Sequence, residues 1–214
     1  MDRVTILCSD PVHPVNAWLD RWMAEVADRA EVTLVRDVAE VAEGDFLFLI
    51  ACHQIVKQDV RDRFAYTLVV HGSRLPKGRG WSPLVWQVLE GENELPLALI
   101  DAGEGVDTGD IWRIDTIALD GTELNDEIQG RIAEATTGLM HWALANCRTA
   151  RARAQEGEPS YYPRRRPADS EVKPEQSISE IFDLLRIADP QRYPAWFEMR
   201  GQRYTLAIAK AEDL

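Results

Sequence analysis

The stretch FLFLI, residues 46–50, is apolar at every position and follows Gly44 and Asp45. A strand with one face in water would alternate apolar and polar residues, so this pattern predicts a parallel strand buried on both faces. YTLVV (66–70) is a second run of this kind, and it ends at His71. The two runs therefore predict the centre of a parallel sheet.

Further strands and helices alternate on both sides of this centre. RVTILC (3–8), EVTLV (31–35), LPLALID (95–101) and IWRIDTIAL (111–119) are predicted to be strands. Apolar residues recur at helical spacing from residue 15 to 26 and from 124 to 142. Ser82 and Pro83 predict a helix start, and Gly91 its end. Strands that alternate with helices indicate an α/β sheet of doubly wound type.

The character of the chain changes near residue 148. RTARARAQEGEPSYYPRRRPADSEVKP (148–174) is polar, basic and rich in proline, which predicts a surface segment. Ser177 and Glu180 have the spacing of a capping box at the start of a short helix. Its apolar face is expected to comprise Ile178, Ile181, Phe182 and Leu185.

The remaining sequence, PAWFEMRGQRYTLAIA (194–209), predicts two strands joined by a turn at Arg200 and Gly201. A tail of about 65 residues is small for a core of its own. We therefore expect residues 1–147 to form the main domain and residues 148–214 to form a small C-terminal α+β appendage packed on it.

Composition narrows the function classes. The chain has 214 residues, of which 45% are hydrophobic and 28% are charged, as in ordinary globular proteins. A net charge of −12 argues against broad nucleic-acid binding, which needs cationic side chains. No apolar run is long enough to cross a membrane, and MDRVTILCSD lacks the apolar core of a secretion signal. We expect a cytoplasmic protein without a nucleic-acid or membrane partner, and a homodimer is left open.

Cysteine and histidine positions give no metal site. Cys8, Cys52 and Cys147 lack the spacing of metal ligands, so we expect them to be reduced and buried. The other histidines occupy separate segments without ligand spacing, namely His13, His53 and His141.

His71 and the loop DAGEGVDTGDIW (101–112) are the candidates for chemistry. Ligands bind beyond the carboxyl ends of strands in open α/β sheets, and both features follow a strand. We expect the two loops to share one edge of the sheet, where a carboxylate could fix the tautomer of the imidazole for acid–base work. The residues alone leave the plainer alternative open, a structural histidine and an ordinary turn.

HGSRLPKGRGWSP followed by VDTGDIW resembles the formyltransferase family that uses 10-formyltetrahydrofolate. The matching positions are His71, Ser73, Leu75, Pro76, Arg79, Gly80, Pro83, Asp107, Gly109 and Asp110. The spacing of 36 residues from His71 to Asp107 is similar to the family's, and the likeness covers residues 1–147. The tail resembles that of members that formylate nucleotide-linked amino sugars. Small members of pseudaminic-acid-type pathways and the formylation domains of peptide synthetases are the most similar.

The resemblance implies a Rossmann-like formyltransferase fold, with a mostly parallel sheet flanked by helices, and 10-formyltetrahydrofolate as the formyl donor. It implies His71 and Asp107 as the catalytic pair. The residues expected at the folate are His53, Gln54, Ile55, Gly103, Glu104, Gly105 and Val106. The residues expected on the acceptor side are Ser73, Lys77, Arg79 and Trp81.

One position departs from the family. The family has an asparagine two residues before the histidine, whereas this chain has Val69. The departure puts in doubt which group holds the formyl oxygen, since His71 could act alone or His53 could serve instead.

The acceptor is inferred only by class. The resemblance favours the primary amine of a nucleotide-linked amino sugar. Glycinamide ribonucleotide, an aminoacyl carrier, and an inactive folate-binding relative remain as alternatives. A locally basic stretch of the tail could contact a diphosphate or could simply face solvent, and its cations are Arg148, Arg151, Arg153, Arg164, Arg165 and Arg166.

Overall fold

A computed structural model describes residues 1–211 of the protein. The elements in chain order are β1 (Asp2–Leu7), α1 (Asn16–Val26), β2 (Ala30–Val35), β3 (Gly44–Leu49), α2 (Gln58–Arg61), β4 (Phe64–His71), β5 (Arg79–Gly80), α3 (Pro83–Leu89), β6 (Glu94–Asp101), β7 (Ile111–Ala118), α4 (Asn125–Asn146), β8 (Tyr161–Tyr162), α5 (Ile178–Ile187), β9 (Ala195–Met199) and β10 (Gln202–Leu206). Each strand and helix that the sequence predicts in residues 1–147 is present.

Six strands form the central sheet in the order β2-β1-β3-β4-β6-β7. The first four in this order are parallel, and β6 and β7 are antiparallel to their neighbours. The predicted mostly parallel α/β sheet is confirmed.

The FLFLI strand is buried on both faces, as predicted. Phe46 and Phe48 belong to the cluster beneath α1 and α4, whereas Leu47 belongs to a second cluster with Val41 and Phe64. Phe46, Leu47 and Phe48 are all fully buried.

The helices cover the sheet with some differences from the predicted stripes. α4 buries Ile128 and Leu139 as expected, but Trp142 is only half-buried, and small residues such as Ala133 and Ala143 face the core instead. Small side chains let the helix approach the sheet and α1 closely. At the start of α3, Pro83 occupies the first turn as predicted, but the Ser82 side chain makes no capping hydrogen bond.

The tail after residue 148 pairs with the preceding part of the chain at two points. β8 pairs with β5, and the backbone of Arg153 pairs with Ile111 at the start of β7. The boundary between residues 147 and 148 stays a prediction, and the last three residues of the predicted appendage lie outside the described part.

The α5 capping box is confirmed, because the Ser177 hydroxyl accepts from the Glu180 amide and the Glu180 carboxylate accepts from the Ser177 amide. Half of the apolar face predicted for α5 is wrong. Ile178 is 67% exposed and Phe182 is 36% exposed. β9 and β10 form the predicted hairpin, with both turn residues at positive φ.

Within residues 1–211, no helix is both long and apolar enough to span a membrane. The three thiols are free. Cys8 and Cys147 are buried as expected, whereas Cys52 is half-buried. Burial raises the pKa of Cys147 to about 12, which keeps this thiol protonated.

Candidate active site

His71 is the last residue of β4 and is buried. Side chains alternate between the faces of a strand, so His71 shares a face with Val69. Val69 packs in a small cluster with Leu75 and Ile100, on the face opposite the one covered by α1 and α4. The imidazole therefore lies at the end of a central strand, on the sheet face that carries this apolar cluster.

Both ring nitrogens of His71 face hydrogen-bond acceptors. The Nε2–H group donates to the carbonyl oxygen of Gly78 at 2.9 Å, and a carbonyl can only accept, so this nitrogen must carry a proton. The Nδ1 atom lies 3.3 Å from Oδ1 of Asp107. A neutral imidazole has one N–H and can serve only one of these acceptors. With the proton on Nε2, Nδ1 is the nitrogen that faces the Asp107 carboxylate.

Asp107 is held in an unusual backbone conformation. Its φ is +55°, in the left-handed region, and its side chain is only 10% exposed. The Oδ2 atom accepts from the Gly80 amide at 2.9 Å, which leaves Oδ1 for His71. A Cβ at Gly109 would lie 1.8 Å from the Asp101 carbonyl oxygen, so this tight loop requires glycine there. The predicted pair is thus brought together, although its catalytic role stays a prediction.

The expectation that the loop at His71 and the loop at residues 101–112 share one edge of the sheet is wrong. β6 runs antiparallel to β4, with Ala98 opposite His71 and Asp101 opposite Leu68. The loop that follows β6 therefore leaves the sheet beside the middle of β4. Asp107 reaches His71 because this loop folds back over the sheet face that carries the imidazole.

The two loops expected at the folate are neighbours. One Arg61 Nη1 group donates to the Val56 carbonyl at 3.2 Å and to the Gly103 carbonyl at 2.9 Å, so it joins the loop after β3 to the loop after β6. Each loop carries one exposed apolar side chain, and Ile55 is 84% exposed and Val106 is 69% exposed. Sequence reasoning missed Arg61, which lies in a short helix outside every motif.

The other residues expected at the folate have varied surroundings. Gln54 turns away, because its amide bonds to the Val38 amide and to the Asp37 carboxylate. Glu104 and Gly105 are exposed, and Gly103 and Gly105 both lie against Thr108, where a Cβ would come within 3 Å. A side chain at either glycine would crowd the loop.

His53 lies near the acceptor side. It is exposed, its amide bonds to Ser9, and its ring centroid lies 6.0 Å from that of Trp81. Within the described residues, no hydrogen bond or ring contact joins His53 to His71. This placement does not favour His53 as the substitute for the missing asparagine.

The acceptor-side residues divide into buried and exposed members. Ser73 is 2% exposed, and its hydroxyl has no hydrogen-bond partner within residues 1–211. Arg79 is half-buried and bonded to Gln155, whereas Lys77 is exposed. Trp81 is 41% exposed.

The basic residues of the tail are not equivalent. The Arg164 guanidinium stacks on the Trp81 ring at 4.9 Å and is exposed. Arg165 is half-buried and bonds to the Asp169 carbonyl and the Ser170 hydroxyl, and burial lowers its pKa. Arg148 pairs with Asp2 at 2.6 Å. Of these three, Arg164 is the one whose charge is available beside the candidate acceptor side.

Gln155 is a site residue that the sequence did not indicate. Its Nε2 group donates to the carbonyls of Asp107 and Gly109, both at 2.8 Å. Its Oε1 atom accepts from Arg79 Nη2 at 2.6 Å. It lies in the tail, 48 residues beyond Asp107, and no local pattern links the two.

The imidazole of His13 and the carboxyl group of Asp101 have shifted pKa values. Burial lowers the pKa of His13, which follows β1. Its Nδ1 accepts from the Val15 amide at 3.2 Å, so the neutral ring carries its proton on Nε2. Burial raises the pKa of Asp101, although Trp112 donates to this carboxylate at 2.8 Å. Within the described residues, no cluster of three or more His, Cys, Asp or Glu side chains is suited to hold a metal ion.

Comparison with protein families gives one match, described as "Formyl transferase", over residues 13–144, which is more than half of the chain. Methionyl-tRNA formyltransferase from Finegoldia magna is 33% identical over 99 residues, covering 46% of this chain and 32% of that protein. The same enzyme from Synechocystis sp. is 27% identical over 188 residues, covering 86% and 56%. The chain thus spans about half, or less, of the length of these curated relatives.

Solved structures with the same fold include three proteins with different names. Methionyl-tRNA formyltransferase from Clostridium thermocellum superposes with a TM-score of 0.84 at 23% identity, over 99% of this chain and 94% of that one. A sugar N-formyltransferase from Shewanella sp. gives 0.74 at 14% identity, over 99% of each chain. HypX from Aquifex aeolicus in complex with tetrahydrofolic acid gives 0.73 at 19% identity, over 97% and 37%. At these identities the likeness shows the fold.

Proposed function

Because the chain belongs to the formyl transferase family, we propose that it transfers a formyl group from 10-formyltetrahydrofolate to the primary amine of a nucleotide-linked amino sugar. The observation that carries the proposal is the buried pair of His71 and Asp107, with Nδ1 and Oδ1 3.3 Å apart. The family motif predicts these two residues as the catalytic pair.

The chemistry needs a group that moves protons. An amine attacks the formyl carbon as the free base, and the tetrahedral intermediate carries a negative oxygen until it collapses. One proton must leave the attacking amine, and one must reach the departing folate nitrogen. His71 Nδ1 lies 3.3 Å from Asp107 Oδ1, close enough for the pair to pass a proton between imidazole and carboxylate, so it suits both transfers.

The formyl donor of this family is 10-formyltetrahydrofolate, and the residues present fit its flat ring system. Arg61 holds the two candidate folate loops together, and Ile55 and Val106 leave apolar surface uncovered on them. Backbone groups between Gly103 and Val106 are accessible for the polar edge of a pterin. The folate site therefore lies beside the loop that carries Asp107.

Val69 supplies no side-chain donor for the oxyanion. We infer that the positive charge of a protonated His71 and nearby backbone N–H groups stabilise the developing negative charge. His53 is a weaker candidate, because it lies against Trp81 and makes no contact with the pair.

One exposed pair of side chains, Arg164 and Trp81, supports a nucleotide-linked sugar as the acceptor. Arg164 stacked on Trp81 offers an aromatic face and a cation that suit a base and a phosphate. Four curated relatives are methionyl-tRNA formyltransferases by name. A net charge of −12 opposes binding of a large polyanion, so we favour the smaller acceptor.

The test offers the protein 10-formyltetrahydrofolate with a panel of nucleotide amino sugars, glycinamide ribonucleotide and initiator methionyl-tRNA. Release of tetrahydrofolate and a mass gain of one formyl group on a nucleotide amino sugar are expected. Formylation of the tRNA instead would replace the proposed acceptor. Binding of a folate analogue without turnover on any amine would indicate an inactive relative.

The same assay tests the acceptor side. Arg164→Ala is expected to raise the KM of the acceptor about tenfold, because the variant loses the free energy of about one cation contact. Folate affinity should stay unchanged. Arg151→Ala is the matched control, since Arg151 is an exposed arginine of the same tail. An unchanged KM would place the nucleotide elsewhere.

A further inference from the structure

We propose that Gln155 is a positioning residue that holds Asp107 against His71 during formyl transfer. The inference rests on the proposed function, because it assigns a role within the same site. Gln155 contributes both N–H groups of its side-chain amide to the catalytic loop and its oxygen to Arg79. Gln155 thereby links the tail after residue 148 to the loop that carries Asp107.

The loop needs a support of this kind. A residue other than glycine in the left-handed region costs roughly 1–2 kcal/mol, and Asp107 has φ +55°. Its neighbours Val106 and Thr108 are exposed, so packing holds the loop weakly. Within residues 1–211, the carbonyls of Asp107 and Gly109 accept hydrogen bonds from Gln155 alone.

Gln155 also closes a ring of contacts around the carboxylate. The amide of Gly80 donates to Asp107 Oδ2 at 2.9 Å, and the neighbouring Arg79 donates to Gln155 Oε1 at 2.6 Å. β5, which contains both residues, pairs with β8 of the tail. Asp107 therefore accepts one hydrogen bond from β5 at its side chain and one from Gln155 at its backbone carbonyl.

The amide is the chemical group that this position requires. Two N–H donors face two carbonyl oxygens, and one carbonyl faces a guanidinium. Gln155→Glu keeps the partner of Arg79 but places a second acceptor against both loop carbonyls. Gln155→Leu removes all three hydrogen bonds at similar volume. The two variants separate the support of the loop from the anchoring of Arg79.

Two measurements on the full chain test the proposal. The first is hydrogen exchange at the Gly80 amide, which donates to the Asp107 carboxylate and reports its position without any substrate. The second is the effect on kcat and KM separately, because misplacement by about 1 Å can cost on the order of 10²-fold in rate. Tyr162→Phe is the control, since it removes a hydrogen bond from the tail to Glu90 without touching the loop.

Both Gln155 variants are expected to exchange the Gly80 amide at least about tenfold faster and to lose roughly 10–100-fold in kcat, with both KM values within about threefold of wild type. Tyr162→Phe should match wild type in both. Wild-type exchange in folded Gln155→Glu and Gln155→Leu would overturn the positioning role. If the wild-type protein shows no amine-dependent turnover, the proposed function fails, while the exchange measurement still decides the role of Gln155.

Discussion

Asp107→Asn perturbs the candidate active site at one atom. The amide oxygen of the new side chain can keep the hydrogen bond from Gly80, and its NH₂ group then faces His71 Nδ1. An NH₂ group can only donate, so Nδ1 must lose any proton that it holds. The substitution fixes the imidazole as the neutral tautomer that donates from Nε2 to Gly78.

The expected cost follows from the loss of the carboxylate beside His71 Nδ1. Removal of a positioned acid–base group lowers rates by roughly 10²–10⁴-fold. At about 1.36 kcal/mol per tenfold, that loss is about 2.7–5.4 kcal/mol of transition-state stabilisation. The fold should persist, because Asp107 lies on a loop and the amide has nearly the shape of the carboxylate.

The assay is amine-dependent release of tetrahydrofolate, with kcat and KM determined for donor and acceptor. Asp110→Asn is the matched control, because Asp110 is an exposed carboxylate of the same loop. We expect a lower kcat for Asp107→Asn and wild-type kinetics for the control. The double variant His71→Asn/Asp107→Asn should be little worse than the worse single one, since the two residues act as a unit. Turnover of Asp107→Asn within about threefold of wild type would remove the carboxylate from the mechanism.

Three further predictions concern the surroundings of the pair. His53→Ala should lower kcat less than about threefold, and a drop near 10²-fold with unchanged folate affinity would make His53 an oxyanion donor. Gly109→Ala should destabilise the protein by roughly 1–3 kcal/mol in urea unfolding and impair kcat, because its Cβ meets the Asp101 carbonyl. Burial lowers the pKa of His13 from 6.5, so unfolding takes up a proton and stability falls as pH drops below about 6.5. His13→Gln should weaken that dependence, and an equal slope in both proteins would contradict it.

The sheet was predictable where burial leaves a pattern in the sequence. FLFLI is apolar throughout because clusters cover both faces of β3. The direction of a strand leaves no such mark. LPLALID is as apolar as a central parallel strand, yet β6 runs antiparallel, and for that reason the expected common edge was wrong. The exposed Ile178 and Phe182 of α5 show the same limit, since a stripe indicates a face but not what covers it.

The candidate site was predictable only as far as its motifs extend. His71 and Asp107 lie in the ordered motif, and the structure places them 3.3 Å apart. Gln155 and Arg61 each hold a loop through long-range hydrogen bonds from one side chain to backbone carbonyls. Such bonds need only one suitable side chain at the right place in three dimensions, so neither composition nor spacing indicates them.

Transfer of an isotopic label tests the central claim most directly. The protein is incubated with 10-formyltetrahydrofolate that carries carbon-13 in the formyl group and with the nucleotide amino sugar that the panel identifies. The account predicts that the label appears on the amine nitrogen of the acceptor, in equal amount to the tetrahydrofolate formed, and that His71→Asn slows this transfer by at least about 10²-fold. Label that stays on the folate, or leaves as formate at the same rate with and without the amine, would contradict it.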